Sequence, residues 1–151
     1  MPDFQPKVPD FEKRVQESFA RQRAMESLNI SLARVKPGRV DLEMIYDPEF
    51  CQQHGFVHAG IITTALDSAC GYAAFSLMDA ESAVLTVEFK TNLMAPAKGE
   101  RFIFRGEVIK PGRTLTVAEA RAFAIADGSE RLIASMTATL MAVRGRAGID
   151  N

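Results

Sequence analysis

One stretch constrains this chain more than any other, the run from Val57 to Met78. Asp67 is the sole Asp, Glu, Lys or Arg between Glu49 and Asp79. A lone carboxylate in so apolar a run costs free energy unless something nearby offsets it. At about 100° per residue the stretch predicts a long helix with two unlike sides. Ile61, Ile62, Ala65, Leu66, Ala69, Cys70, Tyr72, Ala73 and Leu77 share a broad apolar side. Gly60, Thr64, Asp67 and Gly71 line the other, flanked by Thr63 and Ser68. A solvated helix face normally carries several Lys, Glu or Arg, and this one has none. Gly60 and Gly71 each cost about 1 kcal/mol against alanine in a helix interior, which predicts close packing along that stripe. A core helix whose outer face bears one solvated Asp is the alternative.

The remaining bounds are broad. A chain of 151 residues predicts one domain with a substantial core. A net charge of −1 with dispersed Lys and Arg argues against a broad nucleic-acid surface. The start, Met1-Pro2-Asp3-Phe4, does not read as a signal peptide. Asp67, two Thr and two Ser, with no flanking Lys or Arg, make the central run a buried helix rather than a membrane span. Cys51 and Cys70 form no metal motif, so a cytoplasmic protein with two reduced thiols is expected. His54 and His58 have metal-like spacing but no further convergent ligand, and no metal is assigned.

Residues 1–9 are Pro-rich and read as a loose arm. Asp10 can cap a helix running to about Leu28, with Phe11, Val15, Phe19, Gln22 and Met25 on one side. From Ile30 the period becomes two, and Pro37-Gly38 joins residues 30–36 and 39–46 into a hairpin. Residues 48–57 are a loop into the central helix. Four strands follow: Val84–Leu93, Glu100–Lys110, Thr114–Ala126 and Arg131–Val143. In the first of these, simple alternation puts Leu85, Val87, Phe89, Thr91 and Leu93 on one face and Thr86, Glu88, Lys90 and Asn92 on the other. Tight turns between long strands require antiparallel pairing. The expected architecture is α+β: residues 1–29 an arm and helix, 30–143 a curved antiparallel sheet wrapped round a long central helix, and 144–151 a frayed tail. One sheet on one helix leaves strand edges and a helix face uncovered, which a second chain would repair.

The run Gln52-Gln53-His54-Gly55-Phe56-Val57-His58-Ala59-Gly60, with Asp67 nine residues after His58, resembles the signature of hotdog-fold acyl-CoA thioesterases, the phenylacetate-pathway (PaaI-type) branch in particular. Thr86–Gly99 is similar to that branch's first strand after the helix. Lys110-Pro111-Gly112-Arg113-Thr114 and Asp127-Gly128 resemble its later turns. The resemblance spans residues 30–143 and implies hydrolysis of an acyl- or aroyl-CoA thioester to free acid and CoA, without a cofactor. It implies that Asp67 is the nucleophile or general base. His58 matches the His of a His-Gly-Gly turn. Ala59 matches that turn's first Gly, whose N–H polarises the carbonyl; alanine keeps the N–H and adds a methyl. Gln52 matches an amide that orients substrate or water, and Thr86 a hydroxyl that helps hold the hydrolytic water. Gly60 and Thr64, on the small-residue stripe, are candidates to contact the substrate. Lys90, Lys110, Arg113 and Thr114 are candidates for the phosphates of CoA.

The chemistry also stands on the residues themselves. Thioester hydrolysis develops an oxyanion, which N–H groups at a helix start stabilise. A carboxylate facing an apolar, small-residue stripe has its basicity raised by desolvation. Ala59 and Asp67 are eight residues apart, about 12 Å along one helix, so one carbonyl cannot touch both within one chain. If both act, they come from different chains, so an obligate homodimer with two sites across its interface is expected, as the resemblance also implies, and the resemblance adds dimers of dimers. Structural roles remain open for His58 as a helix cap, Gln52 as a loop amide and Thr86 as a strand residue. A hydroxyacyl-thioester dehydratase or hydratase of the same fold, and a non-catalytic acyl-CoA binder, are the competing functions.

Overall fold

Helix α3 (Ala59–Phe75) lies across one face of a six-stranded antiparallel sheet. The structure is a computed structural model and describes residues 3–151. Before α3 come α1 (Phe11–Ala20), α2 (Arg23–Ser27), β1 (Ile30–Lys36), β2 (Arg39–Ile45) and a 3-10 turn at Pro48–Phe50. After it come β3 (Ser82–Leu93), β4 (Arg101–Lys110), β5 (Leu115–Ala126) and β6 (Ser129–Arg144). The sheet order is β1-β2-β4-β5-β6-β3, so β1 and β3 are its edges. All four later strands begin and end within two residues of expectation.

The sheet is built to let the helix come close. Ala118, Ala120, Ala122 and Ala124 occupy successive inward positions of β5, and all are buried. On β4, Gly106 lies directly under α3: a Cβ there would sit 2.3 Å from the Ala69 carbonyl oxygen. Ala65, Leu66, Ala69, Ala73 and Phe75 fill the space against Phe102, Phe104, Met136 and Leu140. Burial of this apolar surface is the main stabilising force, about 25 cal/mol per Å² removed from water.

Two elements differ from the sequence expectation. The amino-terminal helix is not continuous to Leu28; it breaks at Arg21-Gln22, where Gln22 takes an extended backbone. Asp10 stands at its start without a side-chain capping bond. The break lets both halves reach the core: Val15 and Phe19 are buried from α1, Met25 from α2. Phe19 packs edge-on against Tyr72 with ring centres 5.4 Å apart. Arg14 ties α1 to the far end of α3, donating to the carbonyls of Met78 (3.1 Å) and Ser82 (2.6 Å). In the arm, Phe4 packs partly buried against the core; Met1 and Pro2 lie outside the described residues.

The second difference is a β-bulge between Thr86 and Glu88 in β3. Directly opposed residues of an antiparallel pair point to the same side of a sheet. Thr86 opposes the buried Leu140, while Phe89, Thr91 and Leu93 oppose buried Ala138, Met136 and Ala134. The extra residue therefore puts Thr86 on the helix side together with Phe89, Thr91 and Leu93. Glu88 and Lys90 are left on the outer side, where Glu88 accepts from Thr139 Oγ1 at 2.6 Å. Strict alternation, which grouped Thr86 with Glu88 and Lys90, fails at this one position.

Candidate active site

The amino-terminal end of α3 is organised by His58. Its extended backbone (φ −57°, ψ 136°) ends the preceding loop, and its Nδ1 accepts the Gly60 N–H at 2.9 Å. The His58 carbonyl takes the N–H groups of Ile61 (2.9 Å) and Ile62 (3.3 Å). A Cβ on Gly60 would lie 3.1 Å from the His58 ring, so the cap itself favours glycine there. Thr64 Oγ1 donates back to the Gly60 carbonyl at 2.8 Å. With Gly60, Ile61 and Ile62 engaged, no hydrogen bond among the described residues uses the Ala59 N–H. This donor opens on a cleft of about 400 Å³ shared with Gln52 and walled by Phe56, Ile62, Leu93, Met94 and Ile133. The Gln52 side-chain oxygen is held by the His54 N–H.

Asp67 lies two turns further along α3, half-buried. Thr86 Oγ1 donates to its Oδ1 at 2.8 Å across the bulge of β3. Burial holds the carboxyl above the ordinary carboxylate range, and the Thr86 bond draws it part of the way back. Asp67 and Thr86 line a second, smaller cleft of about 120 Å³. Apart from Val84 and Gly71, its other walls carry polar side chains. Ser18 and Tyr72 hydroxyls lie 3.2 Å apart, and Ser68 Oγ donates to Gln22 Oε1 at 3.3 Å. Asn151, from the tail expected to fray, also borders this cleft. Ser18 and Gln22 escaped the sequence reading as site residues. The available signal was Gln22 itself, a polar member in the otherwise apolar stripe of the amino-terminal helix.

The structure thus joins Asp67 with Thr86, and Ala59 with Gln52 and His58, but keeps the two groups apart in one chain. The small-residue stripe is open at Gly71, one turn past Asp67: a Cβ there would meet nothing within 4 Å, so the close packing expected at that glycine is absent within the chain. The candidate cations lie elsewhere. Lys90 is on the outer side of β3, donating to Asn92 at 3.0 Å. Arg113 borders a cleft of about 290 Å³ beside Leu77 and Met78, past the carboxyl end of α3. The Arg113 and Thr114 carbonyls accept from Arg144 (3.1 Å) and the Ala142 N–H (2.8 Å). No three His, Cys, Asp or Glu side chains gather as a metal site among the described residues. No helix among them is long and apolar enough to cross a membrane.

Comparison with known proteins gives these features a context. The family model described as thioesterase superfamily matches residues 54–130, just over half of the chain. A thioesterase family protein from Silicibacter pomeroyi, known from its crystal structure, is 63% identical. It superposes with a TM-score of 0.88 over 89% of this chain and 99% of its own. Human acyl-coenzyme A thioesterase 13 is 31% identical over 87 residues, 57% of this chain and 61% of that protein. The PaaI protein of E. coli, from the phenylacetic acid degradation operon, shares the fold at a TM-score of 0.80. Its identity is 14%, over 89% of this chain and 94% of its own.

Proposed function

The chain belongs to the thioesterase superfamily, and on that premise we propose that it hydrolyses an acyl- or aroyl-CoA thioester to the free acid and CoA. The observation that carries this reading is the pairing of Asp67 with Thr86. A carboxylate made more basic by burial, aligned by one hydroxyl and opening on a stripe of small residues, is equipped to drive acyl transfer from sulfur. Asp67 either takes a proton from an attacking water or attacks the carbonyl itself. The Ala59 N–H, with the dipole of α3 behind it, is the donor for the oxyanion. Gln52 orients the reacting group beside it, and His58 acts by holding the first turn. The apolar walls of the larger cleft fit an acyl or pantetheine chain. Lys90, Arg113 and Thr114 are the proposed contacts for the phosphates of CoA.

Because Ala59 and Asp67 are eight residues apart on one helix, about 12 Å, the reaction centre needs two chains. Edge strand β3 supplies a surface for this. Val87 and Leu93 are 53% and 58% exposed, with Leu85, Phe89 and Met94 also open. A long, apolar, unpaired edge is unstable against association, and pairing β3 with β3 of a second copy would cover it. We place the protein in the cytoplasm as a homodimer or a dimer of dimers.

The test is CoA release from short, medium, long and aromatic acyl-CoA esters. Turnover of at least one class is expected. Absence of turnover with every class, while CoA esters still bind, overturns hydrolysis and leaves a binding protein. Light scattering that finds a monomer overturns the shared site.

A further inference from the structure

The amino-terminal helices form one wall of the Asp67 cleft, outside the part of the chain matched by the family model. α1 stops at Ala20, Gln22 turns extended (φ −83°, ψ 92°), and α2 starts at Arg23. The Gln22 side chain takes no part in capping α2. Its Oε1 accepts instead from Ser68 Oγ, one residue along α3 from Asp67. That bond fixes the amide plane against the cleft. No hydrogen bond among the described residues uses the Gln22 side-chain NH2, and none but that of Thr86 reaches the Asp67 carboxylate. At about 120 Å³ the cleft exceeds the volume one water needs, roughly 10–15 Å³, and its walls offer the two to four polar partners a held water requires. Donors ranged about a carboxylate suit a water better than an apolar acyl chain.

We propose that Gln22 is a further residue of the catalytic site, its side-chain NH2 holding the water that Asp67 activates. This rests on the thioesterase reading above and selects the general-base route. One lone pair of the water accepts from Gln22; the other attacks the thioester carbonyl carbon. As the C–O bond forms, a water proton passes to the Asp67 carboxylate. When the tetrahedral intermediate collapses, the C–S bond breaks and that proton moves from Asp67 to the departing CoA sulfur. Carboxylic acid and CoA thiol leave, and Asp67 is ionised again.

The test compares the full-length wild type with Gln22→Met, which keeps length but lacks the amide, and with Gln22→Glu, which keeps an acceptor for Ser68 but lacks the NH2. Gln22 is exposed, so both variants are expected to fold; Gln22→Glu keeps the acceptor for Ser68 and should melt as the wild type does, while Gln22→Met strands that hydroxyl and should melt a few degrees lower at most. Each should lose kcat by about tenfold, the scale of one hydrogen bond, with KM within about twofold. In Gln22→Met the acid limb of the kcat–pH profile should stay where the wild type has it. Wild-type kcat in either variant, or a Gln22→Met loss explained by a shifted limb, overturns the role of Gln22 while leaving the hydrolase intact. A wild type that turns over no acyl-CoA overturns the hydrolase, and this inference with it.

Discussion

Two stretches of α3, separated by two turns, treat polarity in opposite ways. At the first turn the polar groups are backbone N–H donors, most of them spent on His58, and the surrounding cleft is apolar. In the middle the polar group is a side-chain acid, and the surrounding cleft is lined mainly by hydroxyls and amides, with Val84 and Gly71 beside them. The first environment strengthens a donor toward a developing oxyanion, since a desolvated dipole acts more strongly than a hydrated one. The second tolerates an ionised carboxylate and a water beside it. For the proposed hydrolysis each is incomplete without the other. Placing both on one rigid helix guarantees that a single chain cannot bring them to the same atom.

The largest effect should come from the acidic half. Asp67→Asn is expected to lower kcat by about 10²–10⁴-fold, read by CoA release, with CoA-ester binding retained. The same change should stabilise the protein. Asp67 has a higher pKa folded than unfolded, so the folded state binds the proton more tightly. Stability is therefore lost as pH rises through the window above the ordinary carboxylate value, and it stays lower at neutral pH. Thermal melts should find Asp67→Asn more stable than wild type at pH 7 and not at acid pH. The acid limb of activity should also lie above the ordinary carboxylate range.

The donor half comes next. Ala59→Pro removes one N–H at the first helical position, where proline is tolerated, and His58 already has the extended backbone that precedes proline. A loss of about 10²–10³-fold in kcat is expected for one oxyanion donor. Mixing inactive Asp67→Asn and Ala59→Pro chains breaks or sharpens the whole comparison. If the halves meet across a two-fold interface, mixed dimers regain one good site and activity returns to about a quarter of wild type. No recovery after subunit exchange would mean that the halves do not cooperate between chains.

Thr86→Val should cost less, about tenfold in kcat at neutral pH, and should move the acid limb to higher pH, because the lost bond is the one that lowers the Asp67 pKa. Least of all, His58→Ala should remove the cap on Gly60, about 1 kcal/mol of stability, seen as a drop of about 2–4 °C in melting temperature. A much larger loss of kcat in this variant would give the His58 ring a direct part in the chemistry.

Much of this was legible in the residues. Asp67, alone in an apolar run, stands out on a helical wheel because helix period is insensitive to tertiary context. The turns at Pro37-Gly38 and Asp127-Gly128 carry their own signals; Gly38 and Asp127 both take positive φ. The bulge at β3 has no comparable signature. Val87 is an ordinary strand residue, and only pairing with β6 reveals that Thr86 belongs to the helix side. The break at Arg21-Gln22 is equally silent, since neither residue interrupts a helix by propensity. It arises because α1, held by Arg14 at the end of α3, and Met25 of α2 must both reach the core. Ser18 and Gln22 enter the cleft through that tertiary demand, which local pattern cannot express.

Gly106 carries the last consequence. Its missing Cβ leaves room for the Ala69 carbonyl, two residues beyond Asp67. Alanine there would push the middle of α3 outward by about 1 Å, a misplacement that can cost on the order of 10²-fold in rate. How far the Asp67 carboxylate stands out from the sheet is thus set by a single hydrogen atom on the strand below.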